Sequence, residues 1–236
     1  IPRLVAQPRI LRRARRMNGS DARRAMLDAI HATTEGIRDE DPAAAHAALA
    51  RPYRQVGERN ASARLDLLEE RLVDYGVDVS RLRSSDVADA IHAELSRRRF
   101  TKVVIPAGFP EAYAKGIGER ERIRDDATPR ELDEADAAVS TCAVAMAETG
   151  TIALDAGAGQ GRRAASLVPD VHLCVVHASQ VVATVPEATT RLEAAVKTGA
   201  PITWISGPSA TSDIELVRVA GVHGPRTLLV LLVTDA

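Results

Sequence analysis

The feature that most constrains the fold is Leu228-Leu-Val-Leu-Leu-Val233, six apolar residues with no polar break. A strand with one wet face alternates apolar and polar positions, whereas a strand without a polar face must be covered on both sides. Val171–His177 reads the same way, and so does Lys102-Val-Val-Ile105, which Pro106-Ala-Gly108 ends. Covered strands separated by helical segments point to a sheet held between helix layers. The expected fold is α/β: a three-layer α/β/α domain with a mostly parallel sheet, preceded by an N-terminal helical segment.

The first third reads as helix. Ser20 and Asp21 can cap a segment whose Ala25, Met26, Ala29 and Ile30 follow helical spacing, and Asp41-Pro42 opens a short alanine-rich helix. Asn60 or Ser62 can cap a third, with the stripe Leu65, Leu68, Leu72 and Val73 and a stop at Gly76. Ser84-Ser-Asp86 begins a fourth that ends in Arg97–Arg99, basic residues suited to a helix C-terminus. Beyond residue 100, Ala138–Glu148 and Thr151–Asp155 read as strands joined by a turn at Gly150. Pro186–Thr198 is a helix, Ile202–Ser206 a strand, and Ile214–Val219 with Thr227–Val233 a closing pair of strands. The softest boundary, around Arg51-Pro52 and Gly57, divides a helical extension, residues 1–57, from an α/β domain, residues 58–236.

The net charge of −1 gives no reason to expect nucleic acid or an anionic membrane as a partner. It hides an asymmetry: residues 1–60 carry twelve arginines against seven acids. An arginine-rich, acid-poor start is compatible with a transit peptide or a nucleic-acid arm, but a solvated extension explains it without either. Cys142 and Cys174 belong to no C-x-x-C pair, so buried reduced thiols are expected, with neither an iron–sulfur cluster nor a structural zinc in this chain. No apolar run approaches the length of a membrane span and no secretory signal is evident, so the expected location is the cytoplasm.

Three glycine-containing clusters carry the candidate chemistry. In Glu148-Thr149-Gly150-Thr151 a carboxylate precedes a glycine, fitting a nucleophile, a base or a hydrogen-bond anchor, although a hairpin turn needs the same glycine. Gly157-Ala-Gly159-Gln-Gly161-Arg162-Arg163 offers backbone N–H groups and guanidinium groups for a carboxylate or phosphate. Its glycine spacing fits neither a dinucleotide fingerprint nor a Walker A loop, and a plain loop is the competing reading. In Ser206-Gly207-Pro-Ser209-Ala-Thr211-Ser212-Asp213 hydroxyls and backbone donors follow a strand. They suit an anion if a helical turn starts at Thr211, and an elaborate helix cap otherwise. His223, in Val222-His-Gly-Pro225, places an imidazole in a turn as a candidate acid or base. Were these clusters all at the carboxyl ends of parallel strands, they would meet in one crevice.

Taken in order, Ala147–Ile152, Gly159–Arg163, Leu167-Val-Pro-Asp170, Gln180-Val-Val-Ala183, Ser206–Glu215 and Gly221–Pro225 resemble the LutC/YkgG family. Its shared unit is the lactate-utilisation (LUD) domain. The resemblance spans roughly residues 60–236 and is dense from Glu148 onward. It implies a fold like that of the NagB/RpiA and CoA-transferase group, and a role in oxidising L-lactate to pyruvate together with two iron–sulfur proteins. No established catalytic residue comes with it. Two functions are therefore expected to compete. In one the chain is a subunit that binds a small anionic ligand or a partner. In the other it is itself a CoA-transferase-like or ligase-like enzyme, with Glu148 forming an acyl intermediate, because Glu-x-Gly is similar to a CoA-transferase motif.

Overall fold

The computed structural model describes residues 19–34, 41–211, 219–221 and 223–235. The chain forms two compact units, residues 1–53 and 54–236. The first holds α1 (Gly19–Thr34), of which no side chain is buried, and α2 (Pro42–Ala48). Asp41 caps α2 by accepting a hydrogen bond from the Ala43 N–H at 3.0 Å, with proline in the first turn.

The second unit opens with α3 (Ala61–Asp74), capped by Asn60 rather than Ser62: the Asn60 side chain accepts from the Ala63 N–H at 2.9 Å. Gly76, at φ 80°, ends it as expected. There follow β1 (Asp78–Leu82), α4 (Val87–Arg97), β2 (Lys102–Ile105), α5 (Glu111–Ala114), β3 (Glu121–Arg124), α6 (Pro129–Asp133) and β4 (Ala137–Thr141). Then come β5 (Val144–Met146), β6 (Thr151–Leu154), α7 (Arg163–Leu167), β7 (Val171–His177), β8 (Val181–Val182) and α8 (Val185–Lys197). The last strands are β9 (Thr203–Ile205), β10 (Ala210–Thr211), β11 (Val219–Ala220) and β12 (Thr227–Val233).

Six strands form a sheet in the order β1-β12-β7-β4-β2-β3, and every pairing in it is parallel. The apolar run of β12 is explained by its central place. Leu228, Val230 and Leu232 join the core under α3, while Leu229, Leu231 and Val233 join the core under α4 and α5. The sheet edges, β1 and β3, read Asp-Val-Ser-Arg-Leu and Glu-Arg-Ile-Arg. Charged edge strands deter pairing with another chain, and for the same reason they lack the apolar signature of a strand.

Two expectations need correction. The strand foreseen over Ala138–Glu148 is two strands in different sheets. Thr141 N–H bonds to Gly159 O, Ala143 N–H bonds to Ala153 O, and the chain passes between the two ladders at Cys142. The second sheet, in the order β8-β5-β6-β9, packs on one side against the core with α3 and on the other against α8 through Ala188 and Leu192. Nor do the last two expected strands pair with each other. Residues 214–218 lie outside the described residues, Val219–Ala220 pairs antiparallel with Ala210–Thr211, and β12 lies between β1 and β7. No described helix is long and apolar enough to cross a membrane.

Candidate functional site

Open parallel sheets bind ligands where neighbouring connections leave in opposite directions, here between the carboxyl ends of β2 and β4. That crevice is filled by the protein itself. Gly159 donates its N–H to Ala107 O and accepts from Thr141 N–H, both at 2.8 Å. At φ 76° a Cβ on Gly159 would lie 2.9 Å from Thr141 Oγ1, and one on Gly161, at φ 73°, would lie 3.0 Å from Pro106 Cβ. Arg162 donates from Nε to Asp125 O at 2.6 Å and from a terminal nitrogen to Ala127 O. The Gly159 N–H and the Arg162 guanidinium, which the sequence offers to an anion, are thus engaged with carbonyls of the β2 and β3 loops.

The first and third clusters meet instead. Strands β6 and β9 pair antiparallel with Ile152 opposite Ile205, which brings Thr151 Oγ1 to 2.7 Å from Ser206 Oγ. Gly150 then seats on the last turn of α3 and Gly207 on the residue that follows it, where a Cβ would lie 2.6 Å from that of Arg71 and 2.9 Å from that of Tyr75. Glu148 donates its backbone N–H to Ala183 O at 3.1 Å, and its carboxylate is paired with Arg54. An ion pair whose side chains are 53% and 30% exposed contributes at most about 1 kcal/mol. Thr149 Oγ1 is buried and has no hydrogen-bond partner among the described residues.

Beside this junction is a cavity of about 170 Å³, lined by Trp204, Ile205, Ser206, Gly207, Ser209 and His223–Pro225, and by Ser166, Leu167, His172 and Leu228. Backbone bonds shape its mouth: Ser209 N–H to Pro225 O at 2.8 Å, and Gly221 N–H to Ser209 O at 2.9 Å. His223 N–H donates to Ser209 Oγ at 3.2 Å, and among the described residues the Ser209 hydroxyl proton has no acceptor. His172 and Leu228, each the second residue of its strand, place the cavity at the amino ends of β7 and β12. The three clusters therefore do not share a carboxyl-end crevice: Ser206, Gly207, Ser209 and His223 line this cavity, while Gly159, Gly161 and Arg162 stand at the opposite edge. The backbone of Thr211 is in β10, and the rest of the turn expected from it, with Ser212 and Asp213, lies outside the described residues. Glu148 is not among the lining residues.

The floor holds a residue that sequence reasoning missed. His172 is 1% exposed, and its Nε2 lies 2.7 Å from Ser140 Oγ on the neighbouring strand. Burial pushes the imidazole down to about 4, so it is neutral at physiological pH. The available signal was a polar residue in each of two strands whose other positions are mostly apolar. Trp204, the chain's one tryptophan, is 47% exposed at the cavity wall. Among the described residues no group of three or more histidine, cysteine or acidic side chains is placed to hold a metal.

Known proteins share this architecture and sequence. A Deinococcus radiodurans protein named Lactate utilization protein C is 42% identical over 214 residues, covering 91% of this chain and 96% of its own. Its namesake in Bacillus subtilis (strain 168) is 24% identical over 201 residues, 78% of this chain and 83% of its own. The Escherichia coli (strain K12) protein YkgG, described as uncharacterized, is 28% identical over 184 residues, 70% of this chain and 79% of its own. A crystal structure of a duf162 family protein from D. radiodurans matches with a TM-score of 0.64 at 38% identity, covering 74% of this chain and 99% of that one. The LUD domain pattern itself matches residues 44–233, which takes in every strand of both larger sheets and every described residue of the cavity. With that span matched, the chain belongs to the LUD domain family.

Proposed function

We propose that this chain is a component of a bacterial L-lactate utilisation system, acting in the cytoplasm with two iron–sulfur proteins to oxidise L-lactate to pyruvate. The observation that carries this reading is the 42% identity, nearly end to end, with a protein named for lactate utilisation. The residues agree with a division of labour. Converting a secondary alcohol to a ketone removes two electrons and two protons, and the electrons need an acceptor. A four-cysteine cluster cannot be built from Cys142 and Cys174 alone, and both are buried in the core, so this reading assigns the clusters to the partners. The chain's own contribution is to bind a small anionic ligand at the loops around Ser206, Ser209 and His223.

The test is genetic and biochemical. Deleting the gene from its host, with the partner proteins still expressed, should abolish growth on L-lactate, and the full chain should restore it. A tagged copy from lactate-grown cells should retain two iron–sulfur proteins, and that assembly should oxidise lactate. Unchanged growth of the deletion strain on L-lactate would sink the reading.

A further inference from the structure

We propose that the cavity at the amino ends of β7 and β12 binds a single small 2-hydroxy or 2-oxo monocarboxylate, of the size of lactate or pyruvate, and that His172 fixes the acid's polar end on the cavity floor. The choice of acid rests on the lactate reading above; the site itself rests on four features of the structure.

The first is volume. About 170 Å³ equals the liquid volume of roughly six waters, well below the ~300 Å³ at which sites for larger ligands begin. Such a space suits a ligand of about six heavy atoms. The second is the division of the walls. Leu167, Ile205 and Leu228 supply apolar surface for a methyl group, and Ser209 with the two imidazoles supplies polar groups for oxygens. The third is charge. Among the described lining residues there is no Asp, Glu, Lys or Arg, so none of them repels a monoanion or pairs with a second negative charge.

The fourth is the state of His172. Its bond to Ser140 through Nε2 is the ring's one hydrogen bond among the described residues, which leaves Nδ1 for a ligand. An imidazole and a hydroxyl in the middle of an apolar sheet are costly unless their polar atoms are satisfied, and a bound acid completes the set. Ser140 acts through His172, holding the ring in plane, and is a positioning residue. Which ring nitrogen carries the proton follows from the direction of the Ser140 bond.

Trp204 makes the test direct, because the only tryptophan of the chain stands in the cavity wall. Titrating the full chain with sodium L-lactate or sodium pyruvate should change its tryptophan emission saturably, whereas sodium chloride at equal ionic strength should not. His172→Phe and Ser209→Ala should each raise the half-saturating concentration by about tenfold or more, the loss of one hydrogen bond to a charged ligand. Ser209→Ala keeps the test decisive if His172→Phe fails to fold. A non-saturating response of the unaltered chain to tens of millimolar acid overturns the site, and so does undiminished binding by both variants. The two proposals separate on growth. A flat titration from a chain that still restores growth on L-lactate overturns the site and leaves the lactate reading standing. A flat titration from a chain dispensable for that growth overturns both.

Discussion

The loop Gly157–Arg162 and the loop Ser206–Pro225 look alike as sequence, each a cluster of glycines with hydrogen-bonding side chains after a strand. The folded chain treats them oppositely. In the first, Gly159 is clamped between Thr141 and Ala107, and Arg162 holds two carbonyls of the β3 loop. In the second, the backbone bonds of Ser209 brace the rim of a cavity, and its hydroxyl proton has no acceptor among the described residues. A donor-rich loop marks a ligand site only when its donors have no partner of their own, and the destination of each N–H decides that.

The comparison can be broken by substitution, and the largest effect belongs to the clamp. Gly159→Val puts a branched side chain at φ 76° against Thr141 Oγ1 and Gly108 O. It should cost about 3–5 kcal/mol of unfolding free energy in urea, from overpacking and backbone strain together. A cost under 1 kcal/mol would show that the clamp is loose.

Acid comes next. His172 is held near 4 when folded against about 6.5 when unfolded, so the unfolded state takes its proton first. Its contribution is therefore intact above pH 6.5 and is lost as the pH falls through 4, up to about 3 kcal/mol in all. Burial lowers His177 as well and adds to the same slope from the same starting point. Urea midpoints from pH 7.5 to 4.5 should decline, and His172→Leu should flatten part of that decline. An unchanged slope in the variant would place the titration elsewhere.

At neutral pH, His172→Leu strands the Ser140 hydroxyl and should cost about 1–3 kcal/mol, of which the added Ser140→Ala should recover a part. Arg162→Ala removes two charge-assisted bonds from an exposed side chain and should cost about 1 kcal/mol, with the emission response to lactate kept. The smallest effect is expected at Gly224, which lines the cavity: a Cβ there would meet Leu167 and Ser209 at 3.4 Å, and its φ lies outside the left-handed region. Gly224→Ala should stay within about 1 kcal/mol of the parent. If it destabilises as much as Gly159→Val, the two loops are equally tight and the contrast between them fails.

Much of this was legible in residues. Val171–His177 is a strand with the limits its apolar run suggests, and β12 follows the run at Leu228–Val233 because a central parallel strand is covered on both faces. Asn60, Gly76 and the proline-opened α8 act as local rules require: Thr184 accepts from Glu187 N–H, and the Glu187 carboxylate accepts from Thr184 N–H at 2.8 Å. The edge strands β1 and β3 were not legible, since a charged edge carries no apolar pattern to read. The split of Ala138–Glu148 between two sheets was hidden as well, because both halves are buried and nothing local marks the change of partner at Cys142.

The sequence by itself determined that this chain builds a covered parallel sheet and belongs with the LUD proteins, because buried strands and ordered motifs are properties of neighbouring residues. Only the tertiary structure decided which glycine cluster is a clamp and which borders a cavity, and that Ser140 and His172 face each other 2.7 Å apart from positions thirty-two residues distant in the chain. Those outcomes turn on which partner reaches each polar atom. In a parallel sheet the partners come from strands that chain order does not name, as β12 shows by lying between β1 and β7.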